Sequence, residues 1–105
     1  MDFRLTMEAQ DATVFVSVSG ELDVASAPRL DAAFRRLSEM EISRAVIDLR
    51  GLTLIDSSGL RAIIQGDDAF RARDATLSVI RGSRGVQRMV ATARMADEIP
   101  FIEAP

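Results

Sequence analysis

Residues 47–60 read IDLRGLTLIDSSGL and contain the transition from a buried strand to an amphipathic helix. We predict a strand from Arg44 to Leu49, because its apolar and β-branched residues are nearly continuous, as in a central parallel strand covered on both faces. Gly51 is predicted to break this strand. Helical spacing of apolar side chains resumes after the DSSG segment at 56–59, which predicts a second helix from about Ser57 to Arg71.

The residues before this segment predict a hairpin and a first helix. Short strands are predicted at Phe3–Met7 and Thr13–Ser19, with a turn at Glu8–Asp11 between them, and strands joined by so short a link should pair antiparallel. The GELD segment at 20–23 is predicted to leave the second strand. Ser26 is then a plausible N-cap for an amphipathic helix of about four turns. Its buried face would contain Leu30, Ala33, Phe34 and Leu37.

The residues after the second helix predict another strand, a third helix and a short final strand. Thr76–Ile80 is the strand, Ser83 is a candidate cap for the helix, and Phe101–Ile102 follows Pro100 as the last strand. The buried face of the third helix would contain Val86, Met89, Val90 and Ala93. The order β-β-α-β-α-β-α, with a final strand possible, predicts one α/β domain over residues 1–105. Its mixed sheet would have four to five strands, with amphipathic helices packed on it.

Composition excludes several kinds of chemistry. The 105 residues include no cysteine and no histidine, and all 13 basic residues are arginine, so the commonest general base, thiolates and catalytic lysines are missing. The net charge of −3 and scattered arginines argue against nucleic acid as a partner. We find no apolar run long enough for a membrane span and no signal-peptide pattern at the N-terminus, so a cytoplasmic location is expected. We also expect no cofactor.

Two groups of residues allow a simple structural interpretation. The DSSG segment at 56–59 is good capping chemistry wherever a strand meets a helix, so Asp56 can act as an N-cap and nothing more. Asp67 and Asp68 could suggest a metal site, but adjacent carboxylates on a helix point about 100° apart, so a solvated acidic face is expected. Gly66 in the same helix can mark close packing.

A resemblance gives the DSSG segment a sharper interpretation. Residues 47–60 resemble the signature of the STAS domain, especially in bacterial anti-sigma factor antagonists, and the GELD segment at 20–23 matches that family's second motif at the expected separation. The predicted order of elements agrees from about residue 3 to residue 95. The resemblance implies that Ser57 accepts a phosphate from an anti-sigma factor with a GHKL-type kinase fold, that Asp23 and Asp56 lie beside it, and that a phosphatase reverses the modification.

The same resemblance implies a protein-binding surface around Ser57. The unphosphorylated form would bind the anti-sigma factor and free a sigma factor, and phosphorylation would release the antagonist. Gly59 would let the partner approach the helix end closely. Arg61 lies one turn after Ser57 on the same helical face. It is either a solvated surface arginine or forms an ion pair with the phosphate on Ser57. The expected contact residues are Asp23, Ser26, Asp56, Ser57, Ser58, Gly59, Leu60 and Arg61.

Two other classes of function remain as alternatives. Ser57 and Asp56 could be a nucleophile and base, but without His, Lys or Cys the serine lacks an activator, so no catalytic residue is expected. STAS domains also occur in stressosome scaffolds and as small subunits of lipid transporters, which would place this chain in a large assembly. Some relatives bind nucleotides, but the sequence has no glycine-rich phosphate loop.

Overall fold

The first two strands form an antiparallel hairpin at one edge of the sheet. In the computed structural model, which describes residues 2–104, β1 covers Arg4–Gln10 and β2 covers Thr13–Leu22. The predicted hairpin is confirmed, but the predicted turn at Glu8–Asp11 is too long. Asp11 has a φ of 56°, a left-handed conformation that aspartate tolerates, so two residues suffice for the turn and β1 continues to Gln10.

Three more strands follow, and each pairs in parallel with the strand before it. They are β3 at Arg44–Ile55, β4 at Thr76–Ile80 and β5 at Phe101–Ile102. The order of strands across the sheet is β1-β2-β3-β4-β5. Three α-helices connect them within the described residues: α1 at Ala27–Ser38, α2 at Ser57–Ala72 and α3 at Arg84–Thr92. The predicted α/β domain with a mixed sheet is therefore confirmed. The predicted bounds of 1–105 include Met1 and Pro105, which lie outside the described residues.

Strands β2 and β3 are both longer than predicted. The GELD segment does not leave β2 at Gly20, because Glu21 and Leu22 pair with Leu54 and Ile55 of β3. Nor does Gly51 end β3, because it lies opposite Ser19 where the register of the two strands shifts. A Cβ atom at Gly51 would lie 2.9 Å from the Val18 carbonyl oxygen. Glycine at 51 therefore permits a close approach of two strands at an irregularity.

The core forms between one face of the sheet and the helices. Val14, Val16 and Val18 alternate into it from β2, as predicted. All four residues predicted for the buried face of α1 are buried. Gly66 of α2 faces the Phe34 ring of α1, and a Cβ atom there would lie 2.5 Å from Phe34 Cζ. Close packing against Phe34 therefore accounts for the glycine at position 66, a question that the sequence left open.

Helix α3 begins directly after Ser83, as predicted, but buries fewer residues than expected. Ser83 caps it by accepting a hydrogen bond from the Val86 backbone N–H at 3.2 Å. Val86 and Val90 are buried, whereas Met89 is 37% exposed. The prediction that Met89 fills the core is wrong, because only Val86 and Val90 of this helix are buried. Within residues 2–104, no helix has the length and apolarity that crossing a bilayer requires.

Candidate functional site

The two motifs meet at one edge of the sheet. Leu22, at the end of β2, is the register partner of Ile55, at the end of β3. The Asp56 backbone N–H then donates to the Leu22 carbonyl oxygen at 3.1 Å. Polar segments at the carboxyl ends of neighbouring parallel strands are a common location for functional sites in α/β sheets. The GELD and DSSG segments therefore form one surface.

Asp56 caps helix α2, as the sequence predicts. Its backbone is extended, and its Oδ1 atom accepts hydrogen bonds from the backbone N–H groups of Ser58 at 2.9 Å and Gly59 at 3.2 Å. These N–H groups belong to the first turn and have no partner within the helix. The cap holds Ser57 at the first position of α2.

Ser57 lies half-buried at the helix N-terminus. Among residues 2–104 its hydroxyl has no hydrogen-bond partner, and the local backbone depends on Asp56 rather than on Ser57. A group added to the Ser57 oxygen would therefore break no hydrogen bond that holds the fold. The positive end of the helix dipole also favours an anionic group at this place.

Asp23 and Ser26 lock the turn that follows β2. Asp23 Oδ1 accepts from the backbone N–H groups of Ala25 at 3.0 Å and Ser26 at 3.1 Å. The Ser26 hydroxyl accepts from the Asp23 N–H at 2.9 Å and donates to the Glu21 carbonyl at 2.7 Å. Ser26 occupies the predicted N-cap position of α1, but its side chain makes no capping bond to that helix. Ser26 is buried and serves the turn instead.

Besides the buried Ser26, two more residues of the predicted contact surface face inward. Leu60 is completely buried in the core, so its side chain anchors α2 and is not exposed to a partner. Gly59 is also buried, and a Cβ atom there would lie 2.6 Å from Leu22 Cγ. The prediction that Gly59 admits a partner is therefore wrong: its missing side chain makes room for Leu22. Our sequence reasoning missed Leu22, although its position in the GELD segment signalled the end of a buried strand.

Arg61 and Ser58 complete the surface beside Ser57. Arg61 is exposed one turn further along α2, and none of the ion pairs formed among residues 2–104 involves it. Ser58 is half-buried, and its backbone N–H is bound to Asp56. The exposed part of the predicted site thus consists of Asp23, Asp56, Ser57, Ser58 and Arg61.

Asp67 and Asp68 lie at the other end of α2 and behave differently from each other. Asp68 is exposed and pairs with Arg71 at 2.7 Å, as expected of a solvated acidic face. Asp67 is only 7% exposed, at 3.3 Å from Arg71. Burial raises the pKa of the Asp67 carboxyl, and Arg71 opposes that effect. The predicted solvated face is therefore wrong for Asp67, and the described residues contain no cluster of three or more potential ligands that could hold a metal ion.

A scan against protein families finds one that covers nearly the whole chain. The family model described as "Mlab, STAS domain" matches residues 5–103. No curated protein sequence gives a significant match. The matched residues include both the GELD and the DSSG segments, so the predicted resemblance to the STAS domain is confirmed.

Solved structures of anti-sigma factor antagonists have the same fold. An anti-sigma factor antagonist from Mycobacterium paratuberculosis is 23% identical with a TM-score of 0.79, over 98% of this chain and 87% of that one. The Bacillus cell fate determinant SpoIIAA in its phosphorylated form is 15% identical with a TM-score of 0.73, over 97% and 92%. The STAS domain of an antagonist from Rhodobacter sphaeroides is 26% identical with a TM-score of 0.64, over 80% and 95%.

Proposed function

The chain belongs to the STAS domain family, and on this premise we propose that it is an anti-sigma factor antagonist controlled by phosphorylation of Ser57. The unphosphorylated form binds an anti-sigma factor in the cytoplasm and frees a sigma factor. The anti-sigma factor is a GHKL-type serine kinase, and a phosphatase restores the active form. The observation that carries this proposal is that Ser57, half-buried at the start of α2, has a hydroxyl with no hydrogen-bond partner among the described residues.

The surroundings of Ser57 suit a phosphate acceptor better than a catalytic serine. Asp56 uses its Oδ1 atom to cap α2, and the Asp23 carboxylate binds the N–H groups of its own turn. Neither carboxylate has to remove the proton of the Ser57 hydroxyl if the kinase provides the base for that step. The kinase transfers the terminal phosphoryl group of ATP to the serine oxygen, and the hydroxyl proton leaves to a base of the kinase. Asp23 and Asp56 position the acceptor.

Phosphorylation acts by blocking the interface. A phosphate adds about −1.5 to −2 charges, and the helix N-terminus tolerates this charge in the free protein. In a docked complex the same group is bulky, strongly hydrated and close to Asp23 and Asp56. A loss of about 2.7 kcal/mol already weakens binding about a hundredfold, and burying an unpaired charge costs several kcal/mol.

Phosphorylation with purified components tests the acceptor residue. The chain is incubated with each GHKL-type anti-sigma factor of the native cell and with Mg-ATP, and the phosphorylated residue is mapped by mass spectrometry. We expect phosphate on Ser57, none on the Ser57→Ala variant, and normal incorporation into Ser58→Ala, which removes the neighbouring hydroxyl as a matched control. Phosphate on Ser58, or none with any of these kinases, contradicts the proposal.

Binding measurements test the switch itself. Ser57→Ala should bind the anti-sigma factor as tightly as the native chain and remain bound in the presence of ATP. Ser57→Asp should lose at least about tenfold in affinity, because its carboxylate mimics part of the phosphate charge. Isothermal titration calorimetry with the purified anti-sigma factor gives both values. Equal affinities for the two variants would show that charge at position 57 does not control docking.

A second candidate function follows from the family description. The matching family model is described as "Mlab, STAS domain", and we keep the alternative that this chain is a STAS subunit of a stressosome scaffold or of a lipid-transport complex. In that case the chain purifies with a large assembly or a membrane complex, and no anti-sigma kinase modifies it. Size-exclusion chromatography of native extract, followed by identification of the bound proteins, separates these alternatives.

A further inference from the structure

An exposed apolar patch lies in the turn between β2 and α1 and in the first turn of α1. Val24 is 72% exposed, about twice as much as the other exposed large apolar residues between residues 2 and 104, Met40 at 39% and Met89 at 37%. Ala25 and Pro28 are also exposed, whereas the two residues between them are buried. Residues 24–28 contain no charged side chain. We call Val24, Ala25 and Pro28 together the turn patch.

Folding does not explain the valine in this turn. Turn positions favour Gly, Pro, Asn, Asp and Ser, and β-branched residues favour strands. Val24 is in neither a strand nor the core, and the hydrogen bonds that close the turn come from Asp23 and Ser26. A serine or asparagine at position 24 would suit the turn better. Such a mismatch between residue and local structure is typical of positions selected for function.

The turn patch is held rigidly. The Asp23 carboxylate binds the N–H groups of Ala25 and Ser26, and the Ala27 N–H donates to the Asp23 carbonyl at 2.8 Å. A side chain presented by a fixed turn loses little conformational freedom when a partner covers it, so more of its contact energy appears as affinity.

The turn patch adjoins the surface that contains Ser57. Asp23 directly precedes the patch and follows Leu22, whose carbonyl oxygen accepts from the Asp56 N–H. The apolar turn and the polar helix end thus occupy neighbouring strand ends of one edge of the sheet. An interface commonly combines an apolar contact region with polar groups that set its orientation. A protein that covers Ser57 would therefore reach Val24 as well.

We propose that the turn patch is the apolar anchor for the anti-sigma factor that docks on Ser57, and that Val24 fills an apolar pocket on that protein. This inference rests on the proposed function and adds the chemistry of the partner's surface to it. The polar half of the interface contains the phosphate acceptor, which switches binding. The apolar half supplies affinity that depends little on salt, because the removal of apolar surface from water involves no charge.

A single isosteric substitution tests the anchor. Val24→Thr keeps the shape of the side chain and replaces one methyl group with a hydroxyl, so the fold should be unaffected at so exposed a position. The probe is the purified anti-sigma kinase that phosphorylates Ser57. We expect the Kd of the unphosphorylated chain to rise about tenfold. In phosphorylation kinetics, KM should rise by a similar factor with kcat unchanged, because Val24 contributes binding and not chemistry.

Two further variants serve as controls. Met40→Gln removes an exposed apolar side chain beyond the opposite end of α1, about 18 Å along the helix, and should leave Kd unchanged. Val24→Ile keeps the position apolar and should bind with a Kd close to that of the native chain. Thermal unfolding of all three variants checks that the fold is intact.

The outcomes separate this inference from the proposed function. If the native chain is phosphorylated on Ser57 and Val24→Thr binds with the native Kd, the anchor is refuted and the switch stands. If Val24→Thr and Met40→Gln weaken binding equally, the effect is not local to the turn patch and the anchor is again refuted. If no anti-sigma kinase modifies Ser57, the proposed function fails, and the anchor fails with it.

Discussion

Replacing Asp56 by alanine should both destabilise the domain and disturb the acceptor. The substitution removes two accepted hydrogen bonds, from the N–H groups of Ser58 at 2.9 Å and Gly59 at 3.2 Å. Each is worth about 0.5–1.5 kcal/mol net, but the helix end is only half-buried, so water replaces part of the loss. Measured N-cap substitutions cost about 1 kcal/mol, which lowers Tm by about 4–8 °C in a domain of this size.

The asparagine variant separates geometry from charge. Asp56→Asn keeps a good capping oxygen and removes the negative charge beside Ser57. The lost interaction between this charge and the helix dipole costs about 0.3–1 kcal/mol, so the Tm should stay within a few degrees of the native value. If Asp56 acts by positioning, Asp56→Asn is phosphorylated at close to the native rate and Asp56→Ala is phosphorylated more slowly with a higher KM. Circular dichroism melts and initial phosphorylation rates provide the two measurements.

A matched control comes from the cap of α3. Ser83 accepts one hydrogen bond from the Val86 N–H at 3.2 Å, so Ser83→Ala should lower the stability by a similar amount without changing the phosphorylation rate. A slower rate in Ser83→Ala would mean that general destabilisation, and not the position of Ser57, explains the effect of Asp56→Ala. An unchanged Tm in Asp56→Ala would refute the capping role itself.

Three other substitutions have outcomes that the structure predicts. Gly66→Ala should destabilise the domain by about 1–2 kcal/mol in urea unfolding, although helix propensity alone predicts a gain of about 1 kcal/mol, because the added Cβ would lie 2.5 Å from Phe34 Cζ. Asp67→Asn should stabilise the domain at neutral pH. Burial raises the folded-state pKa of Asp67, so the native chain loses stability as pH rises through that pKa, and the advantage of the variant should vanish in acid. Arg61→Ala should speed dephosphorylation of phospho-Ser57 by a phosphatase if Arg61 binds the phosphate, and equal rates would show that it does not.

Local sequence patterns predicted the parts of the fold that depend on local contacts. The alternation of Val14, Val16 and Val18 predicted the buried face of β2, and β4 has the predicted bounds. The caps at Asp56 and Ser83 are also as predicted, because a capping side chain binds N–H groups within three residues of itself. The predicted cap at Ser26 is wrong, because its hydroxyl bonds within the preceding turn.

Several of the errors concern residues whose role depends on a distant part of the chain. Gly51 is typical of a strand break, but its function is to fit beside Val18 of β2, and no pattern within β3 shows that neighbour. In the same way, Gly59 is explained by the side chain of Leu22, and Asp67 lines the same surface cavity as residues 97–100, which follow it at a distance in the sequence. A glycine or a carboxylate in a helix gives no sign of what packs against it.

The arrangement of hydrogen bonds around Ser57 explains why a switch here would act on docking and not on folding. The turn after β2 is closed by Asp23 and Ser26, and the start of α2 is closed by Asp56. Neither closure uses the Ser57 hydroxyl, so its modification removes no interaction that distinguishes one fold from another. A ligand or modification shifts a conformational equilibrium only as far as it interacts differently with the two states. Here the two states that differ are the free surface and the covered surface, and the phosphate discriminates between them because only the free surface leaves it in water.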